Sequence, residues 1–305
     1  MKHSIVIPLH NKASYVADTL LSLARQTRPP HELIIVDDVS TDGSLAIARR
    51  VLAEHPDAFA RTRIEIVQLP RNGGPGHARN RGFEHTTGDI VSFLDADDTY
   101  VPDFLDTVQR HMTEHAVDFL VLGIRYVPSG LTDPDLAALR DGLTQLDGDL
   151  FLMKEPLEVA TRPAFVMGVG SNVVARRDWL AAERYDERVR MNEGNDFWYR
   201  VLKAVAGPGG GRAALLMGER LHVREVPGSL SRKRFAHWHE IGYPPVLRRY
   251  WHSRDRYDRR MMRVIGGRWL RYSWLSLTSM PQRLMFLLRH RGAVLRYGLA
   301  ALRQW

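Results

Sequence analysis

An alternation confined to the first hundred residues constrains this chain more than any other feature. Four short apolar runs, at 4–8, 32–36, 64–69 and 89–94, are separated by three segments that read as helices. In the segment 14–26, Val16, Leu20, Leu21 and Leu23 recur at helical spacing. Segment 44–52 follows Ser40, Thr41 and Asp42, whose side chains supply N-cap chemistry. Segment 76–85 is entered through the turn Gly73-Gly74-Pro75. The order βαβαβαβ predicts an α/β fold, a parallel sheet covered by helices. Ligands of such sheets bind beyond the carboxyl ends of the strands. Three polar clusters stand there: His10-Asn11, Asp37-Asp38, and Asp95 to Asp98.

Beyond Pro102 the pattern loosens. A helix is expected over 103–115, a strand over 118–126, a variable insertion over 129–148, a strand over 168–175 with a helix starting at Arg177, and a loop at 207–211. From about Pro244 the chain reads as helical, with interruptions at Gly266-Gly267, Pro281 and Gly292. The expected organisation is one domain over 1–243 and a basic helical extension over 244–305.

Composition narrows the chemistry. The chain has no cysteine, which excludes disulfides, thiolate metal sites and cysteine nucleophiles. The first apolar run is too short for a signal peptide and is broken by Pro8, and no uninterrupted apolar stretch reaches the ~18 residues a spanning helix needs. The expected location is the cytoplasm, peripheral on the inner face of the plasma membrane if the tail binds lipid. The net charge of +8 is unevenly spread. Residues 248–305 hold 14 arginines, no lysine and two acids, Asp255 and Asp258, for +12, against −4 for the rest.

Three segments carry chemistry. In Phe93-Leu94-Asp95-Ala96-Asp97-Asp98, three carboxylates crowd the end of a buried strand, a repulsion that a cation relieves. Alternate residues of an extended segment face the same side, so Asp95 and Asp97 can share one ligand. Oxygen donors suit Mg²⁺ or Mn²⁺, which bind one or two carboxylates plus substrate phosphates. The competing reading is a solvated acidic turn that caps the next helix. Second, Asp37 and Asp38 end the second strand, where an acid can hydrogen-bond a ribose or a base. Capping explains Ser40, Thr41 and Asp42 well, but not these two. Third, Gly73-Gly74-Pro75-Gly76 opens a helix and offers backbone N–H groups to an anion, with Arg79 and Arg81 adding charge. It is neither a Walker A loop nor a dinucleotide fingerprint.

Taken together, Ser4-Ile5-Val6-Ile7-Pro8-Leu9-His10-Asn11-Lys12, Val36-Asp37-Asp38-Val39-Ser40-Thr41-Asp42-Gly43-Ser44, Ala78-Arg79-Asn80-Arg81-Gly82 and Leu94-Asp95-Ala96-Asp97-Asp98 resemble the family 2 glycosyltransferases. Weaker resemblance continues through Tyr185-Asp186-Glu187, Gly194-Asn195-Asp196-Phe197-Trp198-Tyr199-Arg200 and Pro227-Gly228-Ser229-Leu230-Ser231, the last like a segment that closes over phosphates.

The resemblance implies a GT-A-like, mostly parallel sheet flanked by helices. It implies inverting transfer from a nucleotide sugar, most often UDP-linked, to a hydroxyl of a glycan or lipid-linked acceptor in cell-surface polysaccharide synthesis. It further implies Mn²⁺ or Mg²⁺ on Asp97 and Asp95, with Asp95 also beside the ribose. Base contacts would come from Pro8, His10 and Asn11, with Asp38 bonded to the base and Asp37 shaping the pocket. Arg79 and the Gly76 helix entry would lie near the nucleotide, and Asp196 would be the catalytic base. A single carboxylate base suffices for one inverting displacement. Three positions depart from the family pattern: His10 replaces an aromatic Tyr, Asn195 replaces a Glu that Glu193 could instead supply, and Val226 replaces a His.

Other features read more plainly. His222, His237 and His239 are the best-spaced histidines but lack acidic partners, apart from Glu240. Phe197 and Trp198 read as packing residues. The tail, with Trp251, Trp269, Trp274 and Trp305 among arginines, reads as a basic amphipathic surface for anionic membranes. No nucleic-acid module is present, and nucleic acid is not an expected partner. The rival readings are a nucleotidyltransferase, which lacks its basic glycine loop after the first strand, and a non-catalytic nucleotide-sugar-binding or membrane adaptor protein.

Overall fold

The computed structural model describes residues 1–167, 171–189, 191–226 and 233–302. Strands β1 (His3–Leu9), β2 (Glu32–Asp37), β3 (Arg63–Gln68) and β4 (Ile90–Phe93) alternate with helices α1 (Val16–Ala24), α2 (Ser44–Glu54) and α3 (Pro75–Glu84). They pair in the order β3-β2-β1-β4, all parallel. Because side chains alternate along a strand, β1 feeds two cores. Ile5, Ile7 and Leu9 pack with Leu33 and Ile35 under α1 and α2, while Val6 packs with Ile34, Val36 and Phe93 under α3. Helix α3 comes so close that a Cβ at Gly82 would lie 2.3 Å from Val6 Cγ1. Asp42 caps α2 from one position before the N-cap, its Oδ1 accepting from Ser44 N at 3.0 Å.

The remaining elements are β5 (Thr99–Tyr100), α4 (Phe104–Glu114), β6 (Phe119–Val127), β7 (Thr132–Asp133), α5 (Leu136–Leu139), β8 (Leu143–Asp147), β9 (Leu150–Met153), α6 (Pro156–Ala160), β10 (Val173–Arg176), α7 (Arg177–Ala181), α8 (Glu193–Val205) and β11 (Ala213–Arg224). They extend the sheet as β4-β10-β6-β11-β9-β8. Here the expectation of a mostly parallel sheet needs correction. Strand β10 runs antiparallel to both neighbours and β9 antiparallel to β8 and β11, leaving β6–β11 as the parallel pair. The expected variable insertion at 129–148 is ordered: it supplies β7, α5 and β8, and Gly148, at φ +48°, makes the tight turn into β9. The sequence reading missed β11, whose register shifts between Leu216 and Leu221 and interrupts its alternation. Of the strand expected over 168–175, residues 168–170 lie outside the described residues, as does the 227–231 segment.

The tail comprises α9 (Pro245–Tyr250), α10 (Arg256–Ser276), α11 (Met280–Arg289) and α12 (Arg291–Leu302). Breaks do fall near Pro281 and Gly292, but Gly266-Gly267 interrupts nothing. These glycines lie inside α10 because α12 crosses there: a Cβ at Gly266 would lie 2.5 Å from the Tyr297 ring, and one at Gly267 3.1 Å from Ala300 backbone. The boundary expected at 243/244 does not separate two cores. Val246, Leu247, Met262, Trp269, Phe286 and Tyr297 belong to the same buried cluster as Phe93, Phe119 and Trp198.

One buried carboxylate ties β1, β2, β3 and the turn before β4 together at the end away from the polar clusters. Glu32 accepts from Ser4 Oγ at 2.5 Å, Thr87 N at 2.8 Å and Arg63 Nε at 3.1 Å. Burial alone would raise its carboxyl, but these bonds bring it down to about 2. A carboxyl depressed in the folded state stabilises above its unfolded pKa and loses that contribution as pH falls through the folded value. Glu32→Gln is therefore expected to cost about 3 kcal/mol at pH 7. The difference from the parent should shrink as pH falls from 4.5 toward 2. Urea unfolding of both proteins at pH 7 and pH 3 checks this; an equal difference at both would remove Glu32 from the role.

Candidate active site

The carboxyl ends of β1 and β2 and the glycine turn before α3 form one pocket wall. The Asp38 carboxylate is spent on that turn, with Oδ1 accepting from Gly73 N and Oδ2 from Gly74 N, each at 2.8 Å. Asp38 is buried, and its carboxylate holds this loop. Asp37 accepts from Ser40 N through Oδ1 at 3.2 Å and keeps acceptor capacity on its second oxygen.

Asn11, at φ +51°, holds the 37–44 loop through Oδ1, which accepts from Thr41 N at 2.8 Å. Asn tolerates that left-handed backbone, whereas Val39 at φ +62° is a β-branched residue held in strain at the loop's exposed edge. His10 is exposed beside Asn72, whose Nδ2 lies 3.2 Å from its Nδ1 and donates to Asp38 O at 3.1 Å. Pro8 lies in β1 opposite Val36.

The acidic loop after β4 divides its three carboxylates between two tasks. Asp98 is internal: Ser171 Oγ donates to it at 2.7 Å and Arg224 N at 3.1 Å, while Asp95 N donates to the same Ser171 Oγ at 2.8 Å. Burial, then Asp95 and Asp97, push the Asp98 carboxyl well up. Asp95 and Asp97 remain partly exposed. Lys12 Nζ donates to Asp97, and Arg79 Nη2 donates to Asp95 at 2.7 Å. Even with Lys12 present, burial and then Asp95 push the Asp97 carboxyl up. Asp95 and Asp97 thus crowd one another beside the two local cations, and the donors are all hard oxygens. A divalent cation fits Asp95 and Asp97 on both counts. Elsewhere, His111, His115 and Asp147 converge at the far side of the sheet, where Arg110 Nη1 already donates to Asp147 at 3.1 Å. The sequence reading did not single out that group.

Helix α8 brings one carboxylate into the site and seals another away. Arg79 is buried and also donates to Glu193 Oε1 at 3.0 Å, so it bridges Asp95 to the first turn of α8. Burial opposes its charge, yet Asp95, Tyr185 and Glu193 together hold it more firmly protonated than a free arginine. Gly76 permits this approach: a Cβ there would lie 3.1 Å from Tyr185 Cβ and 3.5 Å from Glu193 Cγ. Asn80 clamps the adjoining segment, donating to Tyr185 O at 3.1 Å and Glu187 Oε1 at 2.8 Å. Phe197 stacks on Tyr185 at 3.9 Å and Trp198 packs on Phe93 and Phe119, so both are packing residues.

Asp196, one turn further along α8, does not stand as an open base. It is fully buried. Its Oδ1 accepts from Arg249 Nε at 2.9 Å, and its Oδ2 from Arg249 Nη2 at 3.2 Å and Arg200 Nε at 3.0 Å. Burial pushes its carboxyl up against the pull of Arg249, and among the described residues its hydrogen-bond partners are Arg249 and Arg200, not the acidic loop. Lys12, Asn72, Ser171, Arg224 and Arg249 are the working neighbours that sequence reasoning did not assign. Lys12 and Asn72 adjoin recognised segments; the other three come from distant chain and carry no local signal.

This geometry has relatives. The chain is 37% identical over 120 residues to "Putative teichuronic acid biosynthesis glycosyltransferase TuaG" of Bacillus subtilis, covering 39% of this chain and 45% of that one. It thus spans less than half of that relative's length. Its fold matches residues 1–349 of Staphylococcus aureus TarS, solved in complex with UDP-GlcNAc, with a TM-score of 0.61 and 18% identity over 100% of this chain and 92% of that one. It also matches a mannosyltransferase of Pyrobaculum calidifontis, solved with GDP-Man and Mn²⁺, with a TM-score of 0.53 and 19% identity over 99% and 73% of the two chains. The segment that builds the pocket wall, the glycine turn and the acidic loop falls within residues 4–182, which match Glycosyl transferase family 2, and the chain belongs to that family.

Proposed function

We propose that the protein moves a sugar from a nucleoside-diphosphate sugar, UDP-linked in the first instance, to a hydroxyl of a glycan or lipid-linked acceptor in cell-surface polysaccharide synthesis. The observation that carries this reading is the bridge Asp95–Arg79–Glu193, which links the acidic loop to a carboxylate on α8. The base lies against Asp37, His10 and Asn11, with Asp38 fixing the loop over it. Asp95 and Asp97 would hold Mn²⁺ or Mg²⁺, which when bound neutralises charge developing on the diphosphate leaving group. The acceptor oxygen bonds to the anomeric carbon as the bond to the diphosphate breaks, with inversion. Its proton passes to Glu193, the α8 carboxylate that Arg79 links to the acidic loop, in the role expected from sequence for Asp196. Names of relatives support the setting: teichuronic acid synthesis for the Bacillus protein, and UDP-GlcNAc bound to TarS.

A specific observation favours the rival of donor binding without transfer, namely the occupation of both Asp196 oxygens by arginines. One set of measurements separates the two. UDP, GDP, CDP, dTDP and their sugars are screened by thermal shift with and without Mn²⁺. Saturation at a hundredfold over Kd stabilises by about 2.7 kcal/mol, a shift of several degrees. A Mn²⁺-dependent shift with a UDP compound is expected, and no shift with any nucleotide would remove the donor site. Glu193→Gln should keep that shift and lose nucleoside-diphosphate release by about a hundredfold or more. Release at the parent rate would take the base role from Glu193.

A further inference from the structure

The tail's outer face is apolar where a solvated helical bundle would be polar. On α11, Met280, Leu284 and Leu288 recur every fourth residue with Met285 beside them, and all four are exposed. On α12, Leu295, Leu299 and Leu302 form a second exposed stripe, while Ala293, Tyr297 and Ala301 face inward. Leu288, Leu295 and Leu299 are 73%, 87% and 76% exposed. Scattered exposed leucines need no explanation, but two helical stripes joined at His290 do.

Charge decides what covers them. Helices α11 and α12 carry Arg283, Arg289, Arg291 and Arg296, and no acid occurs after Asp258. Arg289 and Arg291 are exposed on either side of the elbow between the stripes. Other tail arginines are spent inside the protein: Arg249 on Asp196, Arg260 near Glu158, and Arg268 on the carbonyl of Pro163. Two of the tail's tryptophans pack within the protein. Trp269 is buried with its Nε1 donating to Gly242 O at 3.0 Å, and Trp251 lies under the Arg296 guanidinium at 4.2 Å. Trp305 lies outside the described residues. The helices are 10 and 12 residues long, and no described helix is long and apolar enough to cross a membrane. Helices of this kind, apolar on one exposed face and rimmed by arginine without acids, lie in the plane of an anionic bilayer surface.

We infer that α11 and α12 dock the protein on an anionic lipid surface, with Leu284, Leu288, Leu295 and Leu299 entering the acyl boundary and Arg289 and Arg291 on the headgroups. The inference does not rest on the transferase reading. The test is co-sedimentation of the full chain with phosphatidylcholine vesicles, alone and with phosphatidylglycerol added. The parent should pellet at least tenfold better with the anionic vesicles. Leu288→Glu/Leu295→Glu/Leu299→Glu should lose at least tenfold of that binding with an unchanged melting temperature, because all three side chains are exposed. Arg289→Ser/Arg291→Ser should lose the preference for anionic over neutral vesicles. Failure of the parent to pellet, or full pelleting of the triple-leucine variant, overturns the inference. So does light scattering that finds a parent dimer which the triple variant converts to monomer, since the face would then be a self-interface. A preserved nucleotide-dependent thermal shift in the triple variant keeps either result separate from the donor site.

Discussion

Asp97→Ala is expected to abolish Mn²⁺-dependent stabilisation by donor and to slow sugar transfer by about a thousandfold, roughly 4 kcal/mol of barrier. The loss should come without loss of stability. Asp97 sits under repulsion from Asp95, its carboxyl is pushed up by burial, and its one side-chain partner, Lys12, stays partly exposed when the carboxylate is removed. The melting temperature without metal should therefore hold or rise. Asp98→Ala serves as the contrast. It strips the acceptor from Ser171 Oγ and Arg224 N inside the protein, so it should lower the melting temperature first. Thermal shifts with and without Mn²⁺, together with nucleoside-diphosphate release, distinguish the two variants. Parent-like release from Asp97→Ala would take Asp97 out of the site.

Asp196→Ala is expected to destabilise the fold by about 2–3 kcal/mol, the cost of removing charge-assisted hydrogen bonds from a buried cluster. The variant strips Arg249 of its carboxylate and leaves the largely buried Arg200 with Glu183 alone, in a region where burial already pushes the Arg200 guanidinium down to about 10. Arg249→Ala should cost less, because that side chain is partly exposed and Arg200 still serves Asp196. The two changes share one interaction, so the double variant should lose less than the sum of the singles. Urea unfolding of the four proteins reads this coupling. If Asp196→Ala unfolds like the parent yet transfers no sugar, Asp196 is the base after all and Glu193 is only a support for Arg79.

The donor half was legible because its signals are local. Each apolar run of β1 to β4 is short, three of the four end at a polar cluster, and a helix falls between each run and the next, which makes the strands parallel. The second half hides its order for physical reasons. Strand β11 crosses a register shift and carries Glu219 and Arg220 on its exposed stretch, which blurs its alternation. Gly266 and Gly267 look like helix breakers until α12 is seen lying against them. Within the site, sequence spacing brought out Asp95 and Asp97, but which member of Asp37-Asp38 is spent depends on the turn 35 residues away. The surroundings of Asp196 were hidden for the same reason: they are set by Arg249, 53 residues downstream.

The strand order also sets a timetable for synthesis. Asp98 waits for Ser171 and Arg224, which lie 73 and 126 residues later in the chain. A chain growing from its N-terminus can lay β1 to β4 side by side early, yet the acidic loop beside them keeps its crowded carboxylates unbraced until β11 has emerged. Such long-separation pairings are closed late and slowly. The nascent protein thus carries the pocket wall of β1, β2 and the glycine turn before it carries a finished acidic loop, which waits for a strand 126 residues further along the chain.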